Sequence, residues 1–151
     1  MIKLSILIPA YNPGKWLCGI LDTLQPQIMQ YPTTEVVILD DGSTEDIQWV
    51  SNYPFVKLWR QKNEGEPSAR NVLLYLAEGE YIQFVDADDE IYPNMLDVVY
   101  DNVSQGYDFV SYEFDTDHDR KRSYHNYDQL MINCAMWGVH VQEKAFQRKA
   151  V

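Results

Sequence analysis

Cysteine is scarce in this chain. Cys18 and Cys134 are its only two, too few for a disulfide framework or a zinc ligand set. Both read as reduced thiols packed in helices, which fits a cytoplasmic protein. Long hydrophobic runs are missing as well: no apolar stretch approaches the ~18–20 residues of a membrane span. The N-terminus lacks a signal-peptide pattern, since Leu4 to Pro9 is only strand-length and a turn follows at once. Membrane association is therefore expected to be peripheral at most, at the inner face. Positive charge is in deficit, with 12 Lys and Arg against 23 Asp and Glu and a net charge of -11. Without a basic stripe to neutralise a phosphate backbone, nucleic acid is not an expected partner. No Gly-x-Gly-x-x-Gly follows the first apolar run, which sets aside a dinucleotide oxidoreductase.

What is present is a folded globule: 46% of the 151 residues are hydrophobic and 13% aromatic, enough for a single domain with a sizeable core. The most informative segment is Tyr81-Ile82-Gln83-Phe84-Val85-Asp86-Ala87-Asp88-Asp89, a strand-forming run that ends in three carboxylates. Residues two apart in an extended segment point the same way, so Asp86 and Asp88 share a side. Like charges there repel unless a cation lies between them, and oxygen ligands in this small number suit Mg²⁺ or Mn²⁺. The bland alternative is a solvated turn. An anionic ligand beside these acids would itself need a bridging cation, because a like-charge pair 4 Å apart costs about 4 kcal/mol at an effective dielectric near 20.

Context favours the cation. Leu4–Ile8 reads as a buried strand stopped by Pro9, and Trp16–Leu24 as an amphipathic helix. Glu35–Leu39 is a second strand, followed by the turn Asp40-Asp41-Gly42-Ser43-Thr44, whose last residues could cap a short helix. Phe55–Trp59 is a third strand, Ser68 caps a helix to Ala77, and Tyr81–Val85 is a fourth strand. Pro93 opens a helix reaching Val103, and Phe109–Phe114 is a fifth strand. Residues 115–128, with His118 and His125, read as a solvated loop. Gln129–Trp137 reads as a helix and Val139–Val141 as a short strand. Apolar strands alternating with helices predict an α/β fold whose parallel sheet is covered on both faces. Ligands in such folds bind at the carboxyl ends of strands, where Tyr11-Asn12, Asp40–Ser43 and Asp86–Asp89 should line one crevice.

The ordered motifs Ile-Pro-Ala-Tyr-Asn (8–12), Leu-Asp-Asp-Gly-Ser-Thr (39–44), Ala-Arg-Asn (69–71), Gly-Glu-Tyr-Ile (79–82) and Val-Asp-Ala-Asp-Asp (85–89) closely resemble family 2 glycosyltransferases of the GT-A fold. The likeness covers residues 2 to 114 and continues weakly through Met136-Trp137-Gly138 and Glu143-Lys144-Ala145-Phe146. It implies one GT-A domain over 1–151, with a nucleotide-sugar-binding part over 1–114 and the start of an acceptor-side region over 115–151. It also implies a UDP-sugar donor, a Mn²⁺ or Mg²⁺ cofactor, and transfer with inversion to a glycan or lipid-linked acceptor in polysaccharide synthesis. By the same resemblance Tyr11 lies against the uracil ring, Pro9 and Ala10 shape its pocket, and Asp41 accepts the uracil N3–H, while Asp40 stabilises the turn. Asp86 and Ala87 belong to the nucleotide contact and Asp88 is the metal ligand. Asp89 either contacts sugar hydroxyls or supports Asp88. Arg70 either reaches the nucleotide or pairs with a local acid, and Asn71 holds a loop. Leu73 stands where the family often has glycine, so helix packing there is expected to differ.

In relatives a base downstream of the metal motif deprotonates the acceptor, assistance worth about 10²–10⁴ in rate. Glu143 comes too early in the pattern for that role, so the catalytic base is expected beyond Val151. The chain is then expected to be a piece of a longer enzyme, binding nucleotide but turning over poorly. Two rivals remain open. One is a haloacid-dehalogenase-type phosphatase with Asp86 as nucleophile, although its Asp-x-Asp normally opens the chain. The other is a non-catalytic nucleotide-binding module. Trp16, Trp49 and Trp59 are expected to pack, and Trp137 is a candidate acceptor contact.

Overall fold

The structure, a computed structural model, describes residues 1–105 in full and the backbone of residues 109–112 and 122–125. It divides into two compact units, residues 1–96 and 97–151, each described by itself. Unit 1 is a four-stranded sheet of β1 (Leu4–Ala10), β2 (Thr34–Asp40), β3 (Val56–Arg60) and β4 (Tyr81–Phe84), in the order β3-β2-β1-β4 and parallel throughout. The helices α1 (Trp16–Gln30) and α2 (Glu66–Leu76) alternate with the strands, and a short 3₁₀ helix spans Gln48–Asn52. This is the α/β parallel-sheet architecture expected from the sequence.

The central strands are buried along their length except at half-buried Pro9, which is why they are continuous apolar runs and not alternating ones. Leu7, Val37 and Leu39 project to one face and pack against Ala69, Leu73 and Ala77 of and just after α2. Leu73 is fully buried there, so the position where the family often has glycine is filled by core. Ile6, Ile8, Val36 and Ile38 alternate onto the opposite face and are fully buried. The chain steps outward from β1 to β3, then returns past β1 to β4. Right-handed crossovers therefore put α1 and α2 on opposite faces.

Several boundaries differ from expectation for identifiable reasons. Pro9 does not stop β1: it pairs with Leu39 of β2, and the β1–β4 ladder has already ended at Leu7 opposite Phe84. Its missing N–H lies on the β4 side, where no partner is required. The first helix runs through Pro26 to Gln30 instead of ending near Leu24. Buried Gln27 explains this, because its amide donates to the carbonyls of Thr23 (2.8 Å) and Tyr92 (3.0 Å) and accepts from Leu96 N–H (2.8 Å). Tertiary bonds thus offset the bond lost to proline. Ser43 and Thr44 cap no helix, since the 3₁₀ segment starts after Ile47. Ser68 is not a cap either: α2 starts after Gly65 (φ 85°) with Pro67 in its first turn, and Ser68 instead donates to Glu64 at 3.0 Å.

α3 (Met95–Ser104) starts two residues after Pro93. In unit 2, β5 (Phe109–Tyr112) pairs antiparallel with β6 (Arg122–His125). The expectation that residues 115–128 are wholly loop therefore fails at 122–125, and β5 belongs to a separate two-stranded sheet. Backbone pairing makes β6 a strand although Arg-Ser-Tyr-His lacks an apolar pattern. The expected helix at 129–137 and strand at 139–141, with Cys134, Trp137 and Glu143, lie outside the described residues. Cys18 is a free, half-buried thiol in α1. No helix among the described residues is long and apolar enough to cross a membrane.

Candidate active site

Parallel, in-register strands deliver the residues after β1, β2 and β4 to one edge of the sheet. Strand order reverses between β1 and β4, the position where open α/β sheets form a ligand crevice. A cavity of about 550 Å³ opens there. Its walls include Pro9, Ala10, Tyr11, Asp41, Asp86, Ala87 and Asp88, so the three polar turns do converge. Arg70 and Asp89 are not among its lining residues, but each hydrogen-bonds to Asp86. Asn12 lines the cavity beside Tyr11 as expected, and Pro13, Trp16 and Glu66 also line it, a role that their sequence context does not predict. Trp16, expected to pack in the core or on the surface, is 49% exposed at the rim, with the Lys15 ammonium 5.5 Å from its ring centre.

The first two turns are bolted together. Asn12 adopts φ 49°, a left-handed conformation that asparagine tolerates better than most residues. Its Oδ1 accepts from Thr44 N–H (2.9 Å), the Thr44 hydroxyl (3.1 Å) and Glu45 N–H (3.3 Å), while its own N–H donates to Ser43 Oγ at 2.9 Å. Asp40, fully buried, secures the second turn by accepting Ser43 N–H at 2.7 Å. Its other oxygen lies 3.4 Å from Arg60 Nη1, an ion pair rather than a hydrogen bond. Gly42 follows with φ 75°, and a Cβ there would sit 2.6 Å from Asn63 N.

Asp41 is 4% exposed yet borders the cavity. Its Oδ1 accepts Gln61 Nε2 (2.7 Å) and Glu64 N–H (3.0 Å), and its Oδ2 accepts Gly65 N–H (2.9 Å). It therefore anchors the loop leading into α2, a task that its place in the motif does not reveal. The fixed carboxylate is acceptor-only, and Oδ2 retains acceptor capacity.

In the third turn Asp89 N–H donates to the Asp86 carbonyl (3.0 Å), and the Asp89 carboxylate accepts Asp86 N–H at 3.3 Å. Burial pushes the Asp89 carboxyl above its usual range, with the charges of Asp86 and Asp88 adding to the effect against the Asp86 N–H and Arg70. Arg70 donates to Asp86 Oδ1 at 2.5 Å and to Glu66 Oε1 through Nε at 2.8 Å, with its guanidinium 4.9 Å from the Phe84 ring centre. It thus makes the local ion pair that is one of its two expected roles.

Asp88 is exposed and, among the described residues, has neither a hydrogen-bond nor an ion-pair partner. No group of three His, Cys, Asp or Glu side chains among those residues forms a ready metal cage. That donor set suits Mg²⁺ or Mn²⁺ held by one or two carboxylates and completed by ligand phosphates. Among the described residues four carboxylates and no lysine or arginine line the cavity, so an anionic ligand there requires a cation.

A family model described as "Glycosyl transferase family 2" matches residues 5–149. YibD, a glycosyltransferase of Escherichia coli K12, is 39% identical over 102 residues, which are 64% of this chain and 29% of that protein. The structure resembles Staphylococcus aureus TarS 1-349 in complex with UDP-GlcNAc, with TM-score 0.64 and 34% identity over 69% of this chain and 32% of that one. It also resembles the Pyrobaculum calidifontis mannosyltransferase PcManGT in complex with GDP-Man and Mn²⁺, with TM-score 0.56 and 25% identity over 62% and 30% of the two chains. The chain thus spans about a third of the length of each of these three relatives. With the motifs, the parallel sheet and the crevice at its switch point, these matches make the chain a member of glycosyl transferase family 2 with the GT-A fold.

Proposed function

We propose that the crevice binds the nucleoside diphosphate of a UDP-sugar together with Mn²⁺ or Mg²⁺, for inverting transfer of the sugar to a glycan or lipid-linked acceptor at the cytoplasmic face of a membrane. The observation that carries this reading is that Tyr11, Asp41 and Asp88, from three separate turns, border one cavity. Tyr11, 53% exposed, offers a free aromatic face for the uracil ring, a contact worth about 1–3 kcal/mol. Asp41 accepts the N3–H that cytosine lacks, and Pro9, Ala10 and Ala87 close the pocket around the base. Asp86, oriented by Arg70, takes a ribose hydroxyl with its second oxygen. Asp88 holds the cation, and Asp89 keeps the turn in the shape that presents Asp88. When bound, the cation supplies Lewis-acid stabilisation of the departing diphosphate. These residues form the donor half of a transfer site, and the acceptor base is assigned to none of them.

Family membership argues against the phosphatase alternative, and Asp86 is ill suited to nucleophilic attack with Oδ1 bound by Arg70. Calorimetric titration with UDP, GDP and CDP, each with and without Mn²⁺, tests the proposal. Metal-dependent binding of UDP, reduced at least tenfold by Asp88→Ala, is expected. Equal, metal-independent affinity for all three nucleotides would overturn it.

A further inference from the structure

We propose that Gln61 sets nucleobase specificity, as a positioning residue that acts through Asp41. This inference rests on the nucleotide-binding reading above and adds to it the group that fixes the base-reading carboxylate. Asp41 is almost fully buried and has no lysine or arginine partner among the described residues, so its charge must be stabilised by neutral donors. Three are supplied among the described residues, and two are backbone N–H groups of Glu64 and Gly65, which only proline would remove. The third, and the shortest at 2.7 Å, is the Gln61 side-chain amide. Gln61 is itself fixed, because its N–H donates to the Asp40 carbonyl at 2.9 Å, directly beyond the β2–β3 ladder.

The distribution of donors gives the arrangement its meaning. Gln61 and Glu64 N–H both converge on Oδ1, whereas Oδ2 accepts Gly65 N–H alone. Saturating Oδ1 fixes the carboxylate plane and leaves Oδ2 as the oxygen with spare capacity at the cavity. An ionised carboxylate can only accept. It therefore favours a base presenting a ring N–H, such as uracil, and disfavours cytosine, which presents a lone pair at the same position. Without the Gln61 donor the carboxylate gains freedom to rotate, and Oδ1 competes with Oδ2 for the ligand. Discrimination between bases then falls, while stacking on Tyr11 and the cation contact at Asp88 are untouched.

The test is calorimetry of the 151-residue chain with UDP and with CDP at saturating Mn²⁺, on the unaltered protein, Gln61→Leu and Gln61→Glu, with thermal melts run in parallel. The unaltered protein should prefer UDP over CDP. Gln61→Leu should weaken UDP about fivefold to tenfold, the worth of one ordinary hydrogen bond, and leave CDP nearly unchanged. Gln61→Glu places a second carboxylate against Asp41 and should weaken UDP further. A purely structural role would lower the melting temperature and both affinities together, and that result overturns the proposal. So does an unchanged UDP-to-CDP ratio in either folded variant. If the unaltered protein binds both nucleotides equally in a metal-dependent way, this inference falls while the nucleotide site stands. If it binds neither, both fall.

Discussion

Gly42→Ala places a methyl group where the second turn of the site meets the segment leading into α2, and its cost follows from two features. The residue sits at φ 75°, and a side chain in the left-handed region costs about 1–2 kcal/mol. The new Cβ would also lie 2.6 Å from Asn63 N, whereas ordinary contact begins at 3.4 Å, so Asn63 must retreat by about 0.8 Å. If it does not, the overlap costs about 1–3 kcal/mol. If it does, the Glu64 and Gly65 N–H bonds to buried Asp41 lengthen, at about 1.5–3 kcal/mol for bonds to a charged group. Either route brings the total to about 2–5 kcal/mol. Gly14 supplies the control. It has φ 55° but nothing within 4 Å of an added methyl, so Gly14→Ala bears the conformational cost alone. At roughly 2–4 °C per kcal/mol for a chain of this size, Gly42→Ala should melt about 3–10 °C below Gly14→Ala in a circular-dichroism thermal scan. It should also bind UDP more weakly. Melting of the two variants within about 1 °C of each other would refute the claim that Asn63 packs against Gly42.

Asn12→Ala removes every side-chain bond that Asn12 makes to the second turn and leaves alanine in a left-handed conformation. A loss of about 2–4 kcal/mol by denaturant titration is expected, with weaker UDP binding, and a change under about 0.5 kcal/mol would show that the turns hold together without it. Acid should act through Glu35, which is 3% exposed at the start of β2. Burial alone would raise its carboxyl, but Lys57, Ser5 and the Glu78 N–H together hold it below the usual 4.5. Its folded value thus lies under the unfolded one, so its contribution is full above the unfolded value and is lost as pH falls through the folded one. Stability of the native chain measured from pH 6 downward should decline across that window, and the Glu35→Gln chain should decline less steeply. Parallel pH profiles for the two would contradict this.

How much of this was legible in the sequence depended on whether a signal was local. Buried parallel strands are apolar on both faces, so Leu4–Ile8 and Glu35–Leu39 stood out, and the acids at the end of β4 marked the crevice once read with the turns after β1 and β2. The Ser-Thr pair at 43–44 misled because hydroxyls ahead of a helix resemble caps, while here they answer to Asn12, some thirty residues away. Gln61, Glu66 and Trp16 carried no visible signal, since a loop residue acquires its partner only once the sheet brings distant turns together. β6 was hidden for a related reason: its pairing belongs to the backbone, which the side-chain pattern does not report.

At the opposite end of the strands, Ser5 donates to Glu35 at 2.5 Å and accepts Gly79 N–H at 2.8 Å, and Lys57 closes the knot on Glu35 at 2.8 Å. A Cβ on Gly79 would come within 2.6 Å of Ser5, so only glycine passes there. Four segments are thereby moored at the end remote from the crevice. The turns at the other end therefore rest on a scaffold whose far end is held independently of them.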